Sequence, residues 1–384
     1  MAKIKLGMIG GGPDAFIGAV HRKAAALDGE FELIGGAFSR NPRKSKSMAA
    51  SLGLNPDRVY ESYGEMIYRE KALPAEERID AVSIVTPNYV HYDPAIKALE
   101  NGFHVIIDKP LAFSLEEAKS LKEVVDESGL VLAVTHTYAG YPMVKEARVQ
   151  IKSNNFGKVR KVYVEYPQGW LATFLESDGN KQASWRTDPA KSGAGGAVGD
   201  IGTHAAHLAE YVTGLSITHI CAELNTVVER RLLDDDSTAL LKFDNGASGV
   251  LVATQVAAGE ENDLKLRVYG EKGGLEWTHT DPNTLLVKML DKPAQIYRTG
   301  SGYVTEVAAK NTRLPAGHPE GYLEAFANIY TAFHAAVQDH KNGQLKAIET
   351  YDFPTVNEGV KGMAFIETMI ASSRSTEKWT KILK

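Results

Sequence analysis

Ile4-Lys5-Leu6-Gly7-Met8-Ile9-Gly10-Gly11-Gly12-Pro13-Asp14-Ala15 is the stretch that decides the fold. Its first six residues are short and apolar enough for a buried strand, and the glycines supply a turn. After Ile17 a helix-compatible segment runs through Ala24-Ala25-Ala26. Strand, turn and helix in that order are the first half of a βαβ unit. Gly10, Gly12 and Ala15 fall on the G-x-G-x-x-G/A spacing of a dinucleotide site. The first glycine turns the chain tightly, and the second has no Cβ to hold backbone off a pyrophosphate. The small third residue lets the helix close on the strand with its positive end toward the phosphates. Phe16, next in the chain, joins the expected cofactor contacts. Among 35 glycines such a triplet arises by chance, so its place directly after the first strand carries the reading.

Working outward, residues 31–38 read as a second strand ending at Ser39-Arg40. An acidic residue near this strand end would bind the ribose 2'-hydroxyl of NAD. Here Ser39 stands in that place and Arg40 follows, with Arg43, Lys44 and Lys46 close behind, a pattern that suits a 2'-phosphate. The expected cofactor is therefore NADP or NAD, with the balance toward NADP. A helix is expected over 42–52, and buried strands at Ala81–Val85 and His104–Ile107 alternate with helices. Ser114-Leu115-Glu116-Glu117 is a capping box that opens another helix. This alternation predicts a doubly wound parallel sheet with ligands at the carboxyl ends of its strands. Two loops sit at such ends, Thr86-Pro87-Asn88 with His91, and Asp108-Lys109-Pro110.

Beyond residue 137 the texture changes to successive strand-like runs over 159–166, 217–228, 238–243, 247–255, 264–269 and 274–277, with few helices between them. Asp244-Asn245-Gly246 and Glu271-Lys272-Gly273-Gly274 read as hairpin turns. The fold expected is α/β, with a Rossmann domain over 1–137 and an α+β domain over 138–384 built on a large open, mostly antiparallel sheet.

The totals exclude several classes. At 384 residues, 43% hydrophobic and 24% charged, the chain is an ordinary globular one. A formal net charge of -5 gives no electrostatic reason to expect nucleic acid or an acidic membrane surface. Cys221 is the only cysteine, so an internal disulfide and a thiolate metal cluster are excluded. No basic-then-apolar leader precedes the first strand, and no apolar run approaches membrane-spanning length. The expectation is a cytoplasmic protein.

Chemistry concentrates in two places. Lys109 ends a buried strand between an acid and a proline, where an ammonium could be held near a reacting oxygen or could simply be exposed. Gly199-Asp200-Ile201-Gly202-Thr203-His204-Ala205-Ala206-His207 follows a glycine-rich approach. If the helix begins by Asp200, then Asp200, His204 and His207 share one face. A carboxylate one turn from an imidazole orients it and raises its pKa, as a general acid/base requires. Alternatively Asp200 is a helix cap, or the trio binds a metal. The metal reading lacks further ligands, so none is expected.

Gly10-x-Gly12, Thr86-Pro87-Asn88 with His91, Asp108-Lys109-Pro110, and Gly199-Asp200-x-Gly202-x-His204 occur in order and at suitable separations. Together they resemble the glucose–fructose oxidoreductase / inositol dehydrogenase / MocA (Gfo/Idh/MocA) family over essentially the whole chain. The resemblance implies Lys109 as a polarising, hydrogen-bonding group, His204 as the proton-transferring acid/base, and Asp200 as the partner that tunes or orients them. Two departures stand out: Asp108 replaces the usual glutamate, and His207 stands where an acid is common. The implied reaction is reversible oxidation of a secondary alcohol on a sugar, sugar derivative or inositol-like ring, with hydride passing to C4 of nicotinamide. Expected substrate contacts are His136, Tyr138, Tyr141, Trp170, Trp185, Arg186, His207 and His318. The same resemblance admits an NAD-dependent glycoside hydrolase or a non-catalytic nucleotide-binding regulator, and it implies a homodimer or homotetramer paired through the open sheet.

Overall fold

Short runs of apolar and β-branched residues set the first layer of structure, the first of them, Ile4–Gly10, ending in a glycine. The computed structural model describes residues 2–13 and 15–384, so Asp14 of the glycine turn lies outside the described residues. By internal contacts the chain divides into two compact units, Met1–Thr137 with Phe326–Val360, and Tyr138–Ala325 with Lys361–Lys384.

In the first unit the order is β1 (Ile4–Gly10), α1 (Phe16–Leu27), β2 (Phe31–Ala37), α2 (Pro42–Ser51), α3 (Tyr63–Lys71), β3 (Ala81–Val85), α4 (Tyr92–Glu100), β4 (His104–Ile107), α5 (Leu115–Ser128) and β5 (Leu132–Val134). The five strands form one sheet in the order β2-β1-β3-β4-β5, and every pairing is parallel. β3 and β4 are buried along their whole length, as a sheet covered on both faces requires. α5 starts as its sequence predicts: Ser114 Oγ accepts the Glu117 N–H, and Glu117 accepts the Phe113 N–H at 2.9 Å.

Aromatic side chains explain why Phe326–Val360 belongs to this unit. Tyr330 meets Phe31 edge-on at 5.1 Å, Phe333 stacks on Phe31 at 6.3 Å, and Phe326 lies edge-on to His21 at 4.7 Å. Backbone joins in as well, the Val134 N–H donating to Pro354 O at 2.8 Å.

The second unit contains α6 (Pro142–Lys152), β6 (Lys161–Pro167), α7 (Lys181–Arg186), α8 (Pro189–Ser192), α9 (Thr203–Thr213), β7 (Ile217–Asn225), β8 (Asp236–Phe243), β9 (Ser248–Thr254), β10 (Lys265–Tyr269), β11 (Gly273–Thr278), β12 (Thr284–Met289), β13 (Gln295–Arg298) and α10 (Glu306–Lys310). Two long helices, α11 (Tyr322–Lys341) and α12 (Val356–Arg374), and the short β14 (Thr380–Lys381) complete the chain. Nine strands form one sheet in the order β13-β12-β11-β10-β6-β9-β8-β7-β14. Only β6 and β9 pair in parallel; α7, α8, α9 and the hairpin of β7 and β8 lie in sequence between them. Burial alternates along the strands: Val162, Val164 and Tyr166 of β6 point inward, as do Ala239, Leu241 and Phe243 of β8. α6 and α9 pack on that inner side. Thr238, Leu240 and Lys242 point the other way and are exposed. No helix among the described residues is long and apolar enough to cross a membrane.

Candidate active site

Three loops of the first unit converge at the carboxyl ends of β1, β2 and β3. Gly10 and Gly11 have φ of +88° and +71°, values that favour glycine. A Cβ on Gly10 would lie 3.0 Å from Thr86 Cγ2, and one on Gly12 would lie 2.8 Å from Phe38 O and 3.5 Å from Ser39 Cβ. The glycine turn is thus seated between the Thr86 loop and the end of β2. Ala15 stands ahead of α1 in extended backbone, with no side-chain bond capping the helix and no acidic residue in its first turn. Phe16 begins α1 and is exposed. A helix start that no side chain of its cap residue Ala15 covers, beside backbone free of Cβ atoms, fits a pyrophosphate. Ser39 Oγ accepts the Asn41 N–H at 3.2 Å, and Arg40 is exposed beside it.

Two residues that the spacing does not single out complete this loop. A Cβ on Gly18 would lie 2.3 Å from Gly11 Cα, so helix and turn approach closely at Gly18. Arg22, one turn on, donates to Gly11 O at 2.8 Å. Gly18→Ala should therefore weaken NADH binding at least about tenfold and cost about 1–3 kcal/mol of stability, as overpacked sites do. NADH titration and thermal unfolding of the variant check both; unchanged affinity would separate the crossing from the cofactor.

The Thr86 and Lys109 loops are tied together from below. His91 is buried, with Nε2 2.8 Å from Thr86 O and Nδ1 2.8 Å from Pro110 O. Burial lowers its pKa against the pull of Asp108 and of the surrounding carbonyls. The ring is thus spent on joining two loops. Pro87 and the buried Asn88 form the turn between Thr86 and His91, and Thr86 Oγ1 donates to Val90 O at 3.0 Å. The Lys109–Pro110 peptide is cis. Asp108 accepts from Thr135 Oγ1 at 2.9 Å and has His21 Nε2 4.0 Å away. Burial pushes the Asp108 carboxyl up, but His21, Lys109 and His91 outweigh it and hold the carboxyl down at about 2. Asp108 is therefore an ionised group next to the lysine in the chain. His136 is buried just beyond β5.

In the second unit Val198–Gly202 forms a single π turn, and α9 begins only at Thr203. The even helix assumed from Asp200 to His207 is thus widened at its start, a feature common at functional sites. Asp200 accepts from Gln255 Nε2 at 2.9 Å and pairs with Arg186 Nε at 3.5 Å. The Arg186 guanidinium lies 4.4 Å from the Trp185 ring centre and 5.9 Å from that of Trp170. Trp170 Nε1 donates to Gln168 Oε1 at 3.0 Å, and Gln255 Nε2 reaches the same oxygen at 3.3 Å. Gln168 also donates to Asn262 Oδ1, which accepts the Tyr166 hydroxyl at 2.7 Å. Tyr166 and Tyr138 bond hydroxyl to hydroxyl, and the Tyr138 ring stands edge-on to His204 at 4.9 Å. Burial raises Tyr138 to about 12, so it remains a neutral phenol.

Tyr141 stacks beside Tyr138 at 6.3 Å and shares a 3.0 Å hydrogen bond with His279. Asp200, His204, Tyr138, Tyr141, Trp170, Trp185 and Arg186 thus belong to one connected group. His207 is buried and stacks on Tyr211 at 5.8 Å. His318 is exposed, its Nδ1 3.2 Å from Pro315 O in its own turn, and the buried residue of that loop is Glu320. Sequence reasoning passed over Tyr166, Gln168, Gln255, Asn262 and His279. The signal available was a set of isolated polar residues at the ends of apolar strands. Among the described residues no three His, Cys, Asp or Glu side chains gather as metal ligands do.

Comparison with known proteins agrees with both halves. Residues 4–136 match the family model described as oxidoreductase family, NAD-binding Rossmann fold, and residues 144–276 match the GFO/IDH/MocA C-terminal domain. An inositol dehydrogenase homolog from Azotobacter vinelandii, solved with NAD+, is 32% identical with a TM-score of 0.94, over 99% of this chain and 97% of its own. An oxidoreductase from Sinorhizobium meliloti is 43% identical with a TM-score of 0.88, over 99% of this chain and 100% of its own. The uncharacterized oxidoreductase YfiI of Bacillus subtilis is 30% identical over 98% of this chain and 96% of its own. The glycine turn, the Lys109 loop and the Asp200–His204 segment are therefore parts of a chain that belongs to the Gfo/Idh/MocA family of oxidoreductases.

Proposed function

We propose that the protein is an NAD(P)-dependent dehydrogenase that oxidises a secondary alcohol of a cyclic polyol or sugar. The observation that carries this reading is the polar cluster around Asp200 and His204. A core built only for stability does not gather two glutamines, an asparagine, two tyrosines and a carboxylate beside an imidazole. A ligand rich in hydroxyls gives such groups work, and the Trp170, Trp185 and Arg186 planes suit the C–H faces of a ring.

The nicotinamide supplies the hydride acceptor when bound. His204 takes the hydroxyl proton, Asp200 orients the reacting groups, and Lys109 donates a hydrogen bond to the oxygen as negative charge develops. In that cluster the Arg186 guanidinium is already paired with Asp200, which favours a neutral polyol over a phosphorylated one. The homologue solved with NAD+ is described as an inositol dehydrogenase homolog, which supports the same class of substrate. Pairing of two copies through the outer face that carries Leu240 gives the oligomer.

The test is absorbance at the reduced-nicotinamide band when a panel of cyclic polyols and sugars is added with NAD or NADP. Turnover of a neutral ring polyol supports the reading; reduction with none of them refutes it. The exposed Arg40 gives a second test. Arg40→Ala should weaken NADP binding about tenfold with little change for NAD, since a bidentate guanidinium recognises only the 2'-phosphate. Equal losses for both cofactors would remove Arg40 from that role.

A further inference from the structure

Asp234 and Asp235 lie well away in sequence from the Gly195–His204 motif, and both are buried. Asp234 Oδ1 accepts the Gly196 N–H at 2.6 Å, and Oδ2 accepts the Val198 N–H at 2.8 Å. Its own carbonyl takes the N–H between them, from Ala197, at 2.8 Å. Three consecutive amides at the start of the segment that carries Asp200 and His204 are therefore satisfied by one residue. The fit is close enough to dictate sequence, since a Cβ on Gly196 would lie 2.1 Å from Asp234 O. Burial pushes the Asp234 carboxyl up to about 6, so at neutral pH it is ionised and both oxygens accept.

Two routes lead from this dipeptide to Asp200. Along the helix, Gly196 O accepts the Asp200 N–H at 2.9 Å. Across the sheet, Asp235 O accepts the Gln255 N–H at 2.8 Å, and the Gln255 amide then holds Asp200 Oδ2 at 2.9 Å. Asp235 extends the same device outward. Its carboxylate takes the Val227 and Val228 N–H groups and pairs with the buried Arg231 at 3.0 Å. Arg231 in turn donates to Leu171 O and Thr173 O, directly after Trp170.

We propose that Asp234 is a positioning residue for the dehydrogenase reaction: with Asp235 it fixes the backbone and side chain of Asp200 from two sides, and so sets the stance of His204. This inference rests on the function proposed above. A positioning role differs from a merely structural one because small displacements of a reacting group cost rate without costing the fold.

The test uses the full chain, assayed for polyol oxidation with the oxidised cofactor, and the variant Asp234→Asn, which preserves size but turns an amide N–H toward a backbone N–H. The expected result has three parts. The kcat for the polyol falls about tenfold or more while NADH affinity holds. The Gly196 and Val198 amides exchange faster while those of β8 and β9 keep their protection. The His204 ring resonances shift. If Asp234→Asn fails to fold, Gly196→Ala displaces the same loop from its other side and should reproduce all three effects. Unchanged kcat, or loss of protection throughout the sheet in proportion to lost activity, overturns the proposal. Should the unaltered protein reduce no cofactor with any polyol, the functional reading fails by itself. Unmoved His204 resonances in Asp234→Asn would then reject the positioning claim independently.

Discussion

His204→Ala is expected to lower kcat for polyol oxidation between about a hundredfold and ten-thousandfold, the range that a positioned proton acceptor contributes. The ring sits on the first turn of α9, edge-on to Tyr138, with Tyr166 6.4 Å away. Both phenols stay neutral, burial holding Tyr138 at about 12 and Tyr166 above its ordinary value, so neither offers a substitute base near neutral pH. Alanine leaves the aromatic frame in place and removes only the acceptor. NADH titration should therefore give nearly unaltered affinity, and added imidazole should restore part of the rate. The pH profile of kcat/KM should also lose the limb that reports the base. A variant that turns over at the full rate would take the proton-transfer role away from His204.

Lys109→Ala is expected to reduce kcat and kcat/KM together, by about a hundredfold to a thousandfold, as removal of one preorganised donor to a developing oxyanion does. Its loop is fixed from below by His91 and by the ionised Asp108, so the loss should be chemical and not a loosening of the loop. Lys109→Arg is the sharper control. It keeps the charge, but a planar fork does not reproduce a compact ammonium at a strand end, so little of the rate should return. Steady-state kinetics with NADH binding measured beside it decide the matter. A rise in KM alone, with kcat intact, would make Lys109 a uniform binding group and not a stabiliser of the transition state.

Much of the first unit was legible because its signals are local. Strands such as Ala81–Val85 are uninterrupted apolar runs, and the Ser114 box names its own helix. The close contact of Gly18 with Gly11 was not legible, because the spacing rule marks a loop length and only packing shows which helix residue meets Gly11. In the second unit the central strands were legible by alternation. β12 and β13 were not, because exposed residues such as Lys288 and Ile296 and the polar break Asp291-Lys292-Pro293 between them dilute the pattern. The Asp200–His204–His207 motif was visible, but the π turn that shapes it was not. The start of that turn is held by Asp234, 36 and 38 residues from the Val198 and Gly196 amides it accepts. Network members such as Gln168 and Asn262 are ordinary polar residues until the sheet brings them together.

The return of Phe326–Val360 to the first unit has a consequence for how the protein is made. When Thr137 leaves the ribosome, the nucleotide half still lacks Phe326, Tyr330 and Phe333, which cover His21 and Phe31, and the Pro354 carbonyl that caps the edge strand. Nascent chain of that length has an apolar flank with nothing to cover it, so cofactor affinity should emerge late in synthesis, after the whole intervening sheet has been translated. A gene truncated at the apparent domain boundary would accordingly yield a polypeptide prone to aggregate, however complete its glycine turn.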